Sequence, residues 1–225
     1  KCLRKMIEII LLASSILFIF ALKLFGRPST AHRANTFAML AMALAVFSAF
    51  NFDFSKYDSA FYITIVVSGL LGVLISKRVQ MTQMPELVGL FNGFGGGASG
   101  AIAYVELSGS SLPISDVFVA IFSMVIGIFT FSGSLVAVMK LRGKLNNFSK
   151  KLADIFSVFL PTIIVIPAVL EMDDLLMEFI ILVALIAGVI RVAVIGGADM
   201  PVVIAFLNSL SGIAAMSAGF IVNSI

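Results

Sequence analysis

The sequence predicts an all-α, polytopic transmembrane helical bundle of about eight spans. Three observations carry that reading. The chain is 60% hydrophobic and 12% charged over 225 residues, whereas soluble domains are about half apolar and a quarter charged. Its mean hydropathy is +1.15. The apolar residues fall into runs of membrane-spanning length, roughly 20 residues each, separated by short polar connections. Eight such runs fill residues 1–225 as one transmembrane domain and leave no room for a soluble one. The net charge of +3 comes without aromatic–basic interleaving, which argues against nucleic acid as a partner. Cys2 is the single cysteine, so an internal disulfide framework is excluded.

The apolar segments run at about 6–25, 34–52, 60–76, 85–106, 114–140, 153–170, 175–195 and 201–224. Their connections alternate in charge, which orients the bundle by the excess of Lys and Arg on the cytoplasmic side. The first connection carries Lys23, Arg27 and Arg33, the third Lys77 and Arg78, and the fifth Lys140, Arg142, Lys144, Lys150 and Lys151. The even connections hold Asp53 and Asp58, Glu106 and Asp116, then Glu171, Asp173 and Asp174, with Lys56 their one cation. Odd connections are therefore read as cytoplasmic, which places the N-terminus outside against the local vote of Lys1, Arg4 and Lys5. The chain opens without an initiator Met and stops at Ile225 inside an apolar run, so it is read as part of a longer polypeptide.

Two segments repeat at an offset of 116 residues. "MPELVGLFNGFGGGA" begins at Met84 and "MPVVIAFLNSLSGIA" at Met200. Pro85 and Pro201 suit the first turn of a helix, where a missing N–H costs nothing. Both helices start from cytoplasmic connections and so run parallel. Asn92 and Asn208 each follow the Pro by seven positions, which puts both roughly 10 Å inside their helix starts. Ser134 comes to a similar depth from the other direction, roughly 9 Å from the cytoplasmic end of its helix. One Asn in a membrane is most simply interhelical glue, and one Ser usually bonds its own i−4 carbonyl. Three polar residues at one depth raise the alternative of a polar layer.

The glycines around Asn92 contain a nucleotide fingerprint, Gly93-Phe94-Gly95-Gly96-Gly97-Ala98, which reads G-x-G-x-x-A. That fingerprint has meaning where a strand feeds a tight turn, and here it lies inside an apolar run. Gly89, Gly93, Gly97 and Ala101 recur every four residues as a small-residue stripe that admits a neighbouring backbone. Gly96, Ser99 and Ala103 share the side of Asn92, and Gly212 and Gly219 are expected to play the same packing role on the last helix. Asp199 would cap that helix, and Glu86 would favour the N-terminus of the fourth through the helix dipole. Arg191 is placed to snorkel. His32, the only histidine, falls near the first connection. No residue set suggests a metal site or a nucleophile with its base.

The stretches "KRVQMTQMPELVGLFNGFGGGASG", "FTFSGSLVAVMKLRGK" and "IGGADMPVVIAFLNSLSGIAAMSAGF" resemble the membrane part of the beta subunit of proton-translocating NAD(P) transhydrogenase. The resemblance covers nearly the whole chain. It implies an enzyme in which hydride passes between NAD(H) and NADP(H) on two soluble domains while the membrane domain couples the transfer to proton movement. It implies a proton path lined by Asn92, Ser134 and Asn208, with Asp199 at the cytoplasmic mouth coupling to the NADP(H) domain. Glu86, at a helix start on the same side, is read as a second coupling residue at that mouth. The implied partners are an alpha subunit with its own membrane helices and NAD-binding domain, the chain's own NADP-binding domain following a ninth helix, and a second copy of the complex. The implied location is a bacterial inner membrane. No cofactor is expected on residues 1–225.

Many members of that family carry His where this chain has Asn92, and Asn does not titrate. A partner membrane subunit is therefore expected to supply a His facing the Gly89–Gly93–Gly97 side. Two other functions stay open. An autonomous secondary transporter would want broken helices and a charged midplane pocket. A structural scaffold would tolerate apolar replacement of Asn92, Ser134 and Asn208.

Overall fold

A computed structural model describes residues 2–49, 58–109, 112–145 and 174–222. Seven α-helices occur among them: α1 (Cys2–Phe25), α2 (Ala31–Ala49), α3 (Ser59–Arg78), α4 (Met84–Gly109), α5 (Ile114–Leu141), α6 (Asp174–Ala193) and α7 (Met200–Ile221). They correspond to seven of the eight apolar segments. The sixth segment, at 153–170, lies outside the described residues, as do Asp53, Lys56, Lys150, Lys151, Glu171 and Asp173 of the charge argument. Five stretches are long and apolar enough to cross a membrane by length and composition: Lys5–Phe25, Ser59–Arg78, Ile114–Leu141, Asp174–Ala193 and Gly197–Ile221. The described helices form two packed units, Lys1–Lys77 and Arg78–Ile225.

In the first unit α1 and α2 form an antiparallel hairpin. Small buried residues, Ala21, Ala34 and Ala41, let the two backbones close up, and the Ser14 hydroxyl donates to the Ala41 carbonyl at 2.7 Å. Phe20 and Phe37 meet edge to face, 5.1 Å between ring centres. Pro28 opens the 3-10 turn Pro28–Thr30 between the helices, and Thr30 Oγ1 donates back to the Leu24 carbonyl at 2.6 Å. α3 buries none of its residues. Its outward Ile63, Val66, Leu70 and Leu74 make it apolar all round, the pattern of a span rather than of a soluble surface helix.

The second unit is organised around α5, which α4, α6 and α7 all contact; α4 also packs on α7. Positions along the helices give their directions. Gly89, Gly93, Gly97 and Gly100 of α4 face Val138, Ser134, Phe131 and Ile128 of α5 in descending order, so α4 and α5 are antiparallel. Gly89 also faces Ile204, near the start of α7, so the two Met-Pro helices run parallel. α5 and α6 share a direction, because Ile121 and Met124 pack with Ile180 and Ala184 while Val136 and Ala137 pack with Ala187 and Val192. Leu141 and Asp174 therefore lie at opposite ends of this unit.

Both Met-Pro helices are entered through a 3-10 turn, Met81–Gln83 before α4 and Gly197–Asp199 before α7. The glycine-rich α4 is helical throughout, including the whole of Gly93–Ala98. Glycine in a helix interior costs about 1 kcal/mol against alanine. Its close contact with α5 offsets that cost.

Candidate functional site

Two apolar clusters are stacked along α5. One gathers Ala103, Ala120, Ile121, Met124, Val125, Ile180, Ala184 and Ile221; the other gathers Phe129, Val136, Ala137, Ala187, Val192, Ala193, Met200, Ile204 and Leu207. Small and polar residues of α5 face the neighbouring helices near and between them: Ser123, Gly127, Thr130, Ser132, Gly133 and Ser134 are all buried. The backbones approach closely here. A Cβ added to Gly127 would lie 2.5 Å from the Gly96 carbonyl oxygen and 2.7 Å from the Gly100 nitrogen. No side chain larger than hydrogen fits at that crossing.

Asn92 enters this layer from α4 and is 7% exposed, against a fully buried Ser134. Its Nδ2 donates to Ser134 Oγ at 2.9 Å, joining two of the three residues expected to line a path. From α7, Ser211 Oγ donates to the Asn92 carbonyl oxygen at 3.3 Å. Farther along, Ser123 Oγ donates to the Ala214 carbonyl at 2.8 Å. Ser132 and Ser99 are satisfied within their own helices, by the Phe129 and Gly95 carbonyls. Two buried polar atoms have no hydrogen-bond partner, Asn92 Oδ1 and Thr130 Oγ1.

Asn208, the third expected member, is placed differently. It is exposed on α7 and makes no hydrogen bond among the described residues. The buried residues of α7 are Met200, Ile204, Leu207, Ala214, Ser217, Ala218 and Ile221; all but Ser217 follow a 4-3 spacing whose missing step is half-buried Ser211. Asn208 lies one residue, about 100° of helix, off that seam. Ser211 is what the sequence reading missed, and the 4-3 spacing was the signal that would have found it.

The glycines divide in the same way. Gly89, Gly93, Gly96 and Gly97 each have an α5 atom 2.9–3.1 Å from where a Cβ would sit. The Gly89–Gly93–Gly97 side, expected to receive a His from another subunit, is thus occupied by α5 of the same chain. Gly212 and Gly219 have nothing within 4 Å of a built Cβ, so the packing role expected of them has no counterpart in the described contacts.

The expected cytoplasmic mouth gathers the end of α5 and the starts of α4 and α7. Glu86 Oε2 accepts from Arg142 Nε at 2.6 Å. Lys140, 5% exposed, donates through Nζ to the Ile195 carbonyl and so ties α5 to the connection that carries Asp199. Asp199 is exposed and forms no side-chain cap on α7. The cap expected of it is therefore absent, and the carboxylate faces outward. Arg191 and His32 are exposed. Among the described residues no group of three His, Cys, Asp or Glu side chains could hold a metal ion.

This arrangement can hold and orient a hydrogen-bonded chain. Hydroxyls donate and accept at once, a carboxamide offers one donor and one acceptor end, and none of these groups titrates near neutral pH.

Residues 7–225 match the family model described as NAD(P) transhydrogenase beta subunit. The chain is similar to proteins named "NAD(P) transhydrogenase subunit beta" from Rhodospirillum rubrum and from a named strain of that species. Each is 30% identical over 223 residues, which covers 93% of this chain and 48% of the relative. The chain thus spans about half the length of the curated relatives it matches. An all-α bundle with several long apolar helices, matched along nearly its full length, belongs to the NAD(P) transhydrogenase beta subunit family.

Proposed function

We propose that this chain is the proton-conducting membrane part of an NAD(P) transhydrogenase. It couples proton movement to hydride transfer between NAD(H) and NADP(H), which takes place on soluble domains outside residues 1–225. The observation that carries the proposal is the buried Asn92–Ser134 hydrogen bond with Asn92 Oδ1 left unpaired beside it. A buried polar atom without a partner costs roughly 1–3 kcal/mol, which a scaffold that only packs has no reason to retain. α4 and α7 run unbroken through the layer, which disfavours a transporter built on interrupted helices.

The proposed assembly contains an alpha subunit, an NADP(H)-binding domain continuing this polypeptide, and a second copy of the complex, in a bacterial inner membrane. Connections rich in Lys and Arg face the cytoplasm and the N-terminus faces outside. Asp199 then lies at the cytoplasmic mouth, exposed and available to the nucleotide domain, and Glu86 is held at the start of α4 by Arg142. Asn92 and Ser134 form the path from within the unit, and Asn208 joins it from the outer face of α7. Because Asn92 carries no proton itself, a titrating side chain of the alpha subunit completes the path from the Asn208 side.

The test is Asn92→Leu in the assembled enzyme. Proton-linked turnover should fall while assembly and hydride exchange on the soluble domains survive. Normal pumping in a stable variant would return the chain to the scaffold reading.

A further inference from the structure

Ser123, Thr130 and Ser132 are buried polar side chains of α5 that neither repeat nor depth singles out, and Thr130 alone of the three has no hydrogen-bond partner. It is fully buried. A threonine in a membrane helix ordinarily bonds the carbonyl three or four residues back; this one does not. It lies one helical turn from Ser134, about 6 Å along α5, on the side that meets α4 and α7. A Cβ built on Gly96 would lie 3.1 Å from Thr130 Cβ and 3.2 Å from Ser211 Oγ. Thr130 and Ser211 therefore converge on the bare backbone of Gly96, one turn beyond Asn92. Asn92 Oδ1 is the other unpartnered buried atom. If the carboxamide turned over, Ser134 would donate to Oδ1 and Nδ2 would be left instead, so one end of Asn92 stays unpaired either way.

The two orphaned polar groups lie on facing helices that meet at Gly93 and Gly96. A buried water typically makes about three hydrogen bonds to groups that otherwise lack partners, and a bridging water is nearly as favourable as a direct bond. We propose that Asn92 and Thr130 hold one ordered water between them, and that Thr130 is the next member of the path after Asn92 and Ser134. This rests on the proton-conducting reading. The water accepts from Thr130 or donates to it according to the direction of transfer. The hydroxyl releases its own proton as it takes up another, so no charge remains on it. Asn92 fixes the water without itself changing protonation.

The experiment uses the assembled enzyme carrying Thr130→Val, Thr130→Ser, Asn92→Leu, and Thr130→Val combined with Asn92→Leu. Valine keeps the shape and removes the hydroxyl. Thr130→Val should lower proton-linked turnover about tenfold, the loss of one water-mediated hydrogen bond. Hydride exchange that needs no proton movement should be unchanged, and Thr130→Ser should restore turnover. The thermal midpoint of Thr130→Val should fall, and the double variant should fall by less than the sum of the singles, because both remove the same water. An unchanged or raised midpoint in Thr130→Val would mean an isolated hydroxyl and overturn the proposal, as would additive midpoints or full turnover. Full turnover in Asn92→Leu sinks the proton-conducting reading instead, while the melting cycle still decides the water site.

Discussion

α4 and α7 begin alike and end up in different surroundings. Each enters through a 3-10 turn, opens on Met-Pro and places an asparagine eight residues after the Met. Yet Asn92 is buried against Ser134, while Asn208 is exposed on the outer face of its helix. The difference comes from what surrounds each asparagine. α4 carries glycine or serine at 89, 93, 96, 99 and 100, all buried, which draws α5 against the same face as Asn92. α7 is drawn in by Ile204, Leu207 and Ala214, and that seam passes beside Asn208. A repeated motif conserves the position along a helix axis. The residues around it decide which way the polar group points.

The sharpest way to break the contrast is to add a methyl group to each side of it. Gly127→Ala drives a Cβ into the Gly96 and Gly100 backbone, where no flexible side chain can move aside. The expected cost is about 3 kcal/mol, the upper range for overpacking, and a loss of folded, detergent-resistant complex. Gly212→Ala meets open space and should leave the thermal midpoint unchanged or slightly raised, given the better helix propensity of alanine. Equal effects of the two would mean that the α4–α5 crossing is not the tight one.

The asparagines provide the second comparison. Asn92→Leu should lower proton-linked turnover by more than the roughly tenfold expected of one lost hydrogen bond, because it removes both the partner of Ser134 and the group that orients the water. It should also destabilise, since Ser134 loses its donor. Asn208→Leu should lower turnover without lowering the thermal midpoint, because nothing among the described residues bonds it. A stability loss at Asn208 equal to that at Asn92 would show that another helix covers it. Ser134→Ala should be milder than either asparagine change, about tenfold in turnover, because a water can take the place of the hydroxyl.

These residues also mark how far the sequence could be read. Seven of the eight apolar segments were legible as helices, because membranes force long apolar runs and because Pro85, Pro201 and the charged connections punctuate them; the sixth lies outside the described residues. The pairing of Asn92 with Ser134 was legible as a match in depth. Their neighbour across the helices was not, since depth says nothing about azimuth. Ser211 needed the 4-3 seam of α7 to be weighed above the Met-Pro repeat. Gly127 stands alone in an apolar run, and its role exists only once α4 is laid against it. Lys140 read as one more charge orienting a connection. Its burial and its bond to the Ile195 carbonyl depend on where α6 ends, a non-local fact.

The smallest expected effects lie at the two helix starts. Glu86 is paired with Arg142, and the pair is open to solvent on the arginine side, 51% exposed. Exposed ion pairs contribute about 0–1 kcal/mol and are screened by salt, so Glu86→Gln should shift the thermal midpoint by about 2–4 °C at most. That shift should shrink further in high salt. At the start of α7, Asp199 makes no cap and no ion pair among the described residues, so Asp199→Asn should not move the midpoint. Under the proposed function its effect falls on coupling, because an exposed carboxylate on the Lys140-tethered connection can meet a soluble domain without any role in the bundle. Asp199→Asn should therefore lower proton-linked turnover at constant stability, whereas Glu86→Gln lowers stability slightly at nearly constant turnover. A midpoint that falls in Asp199→Asn with turnover intact would reverse the assignment and make Asp199 the structural group at this mouth and Glu86 the coupling one.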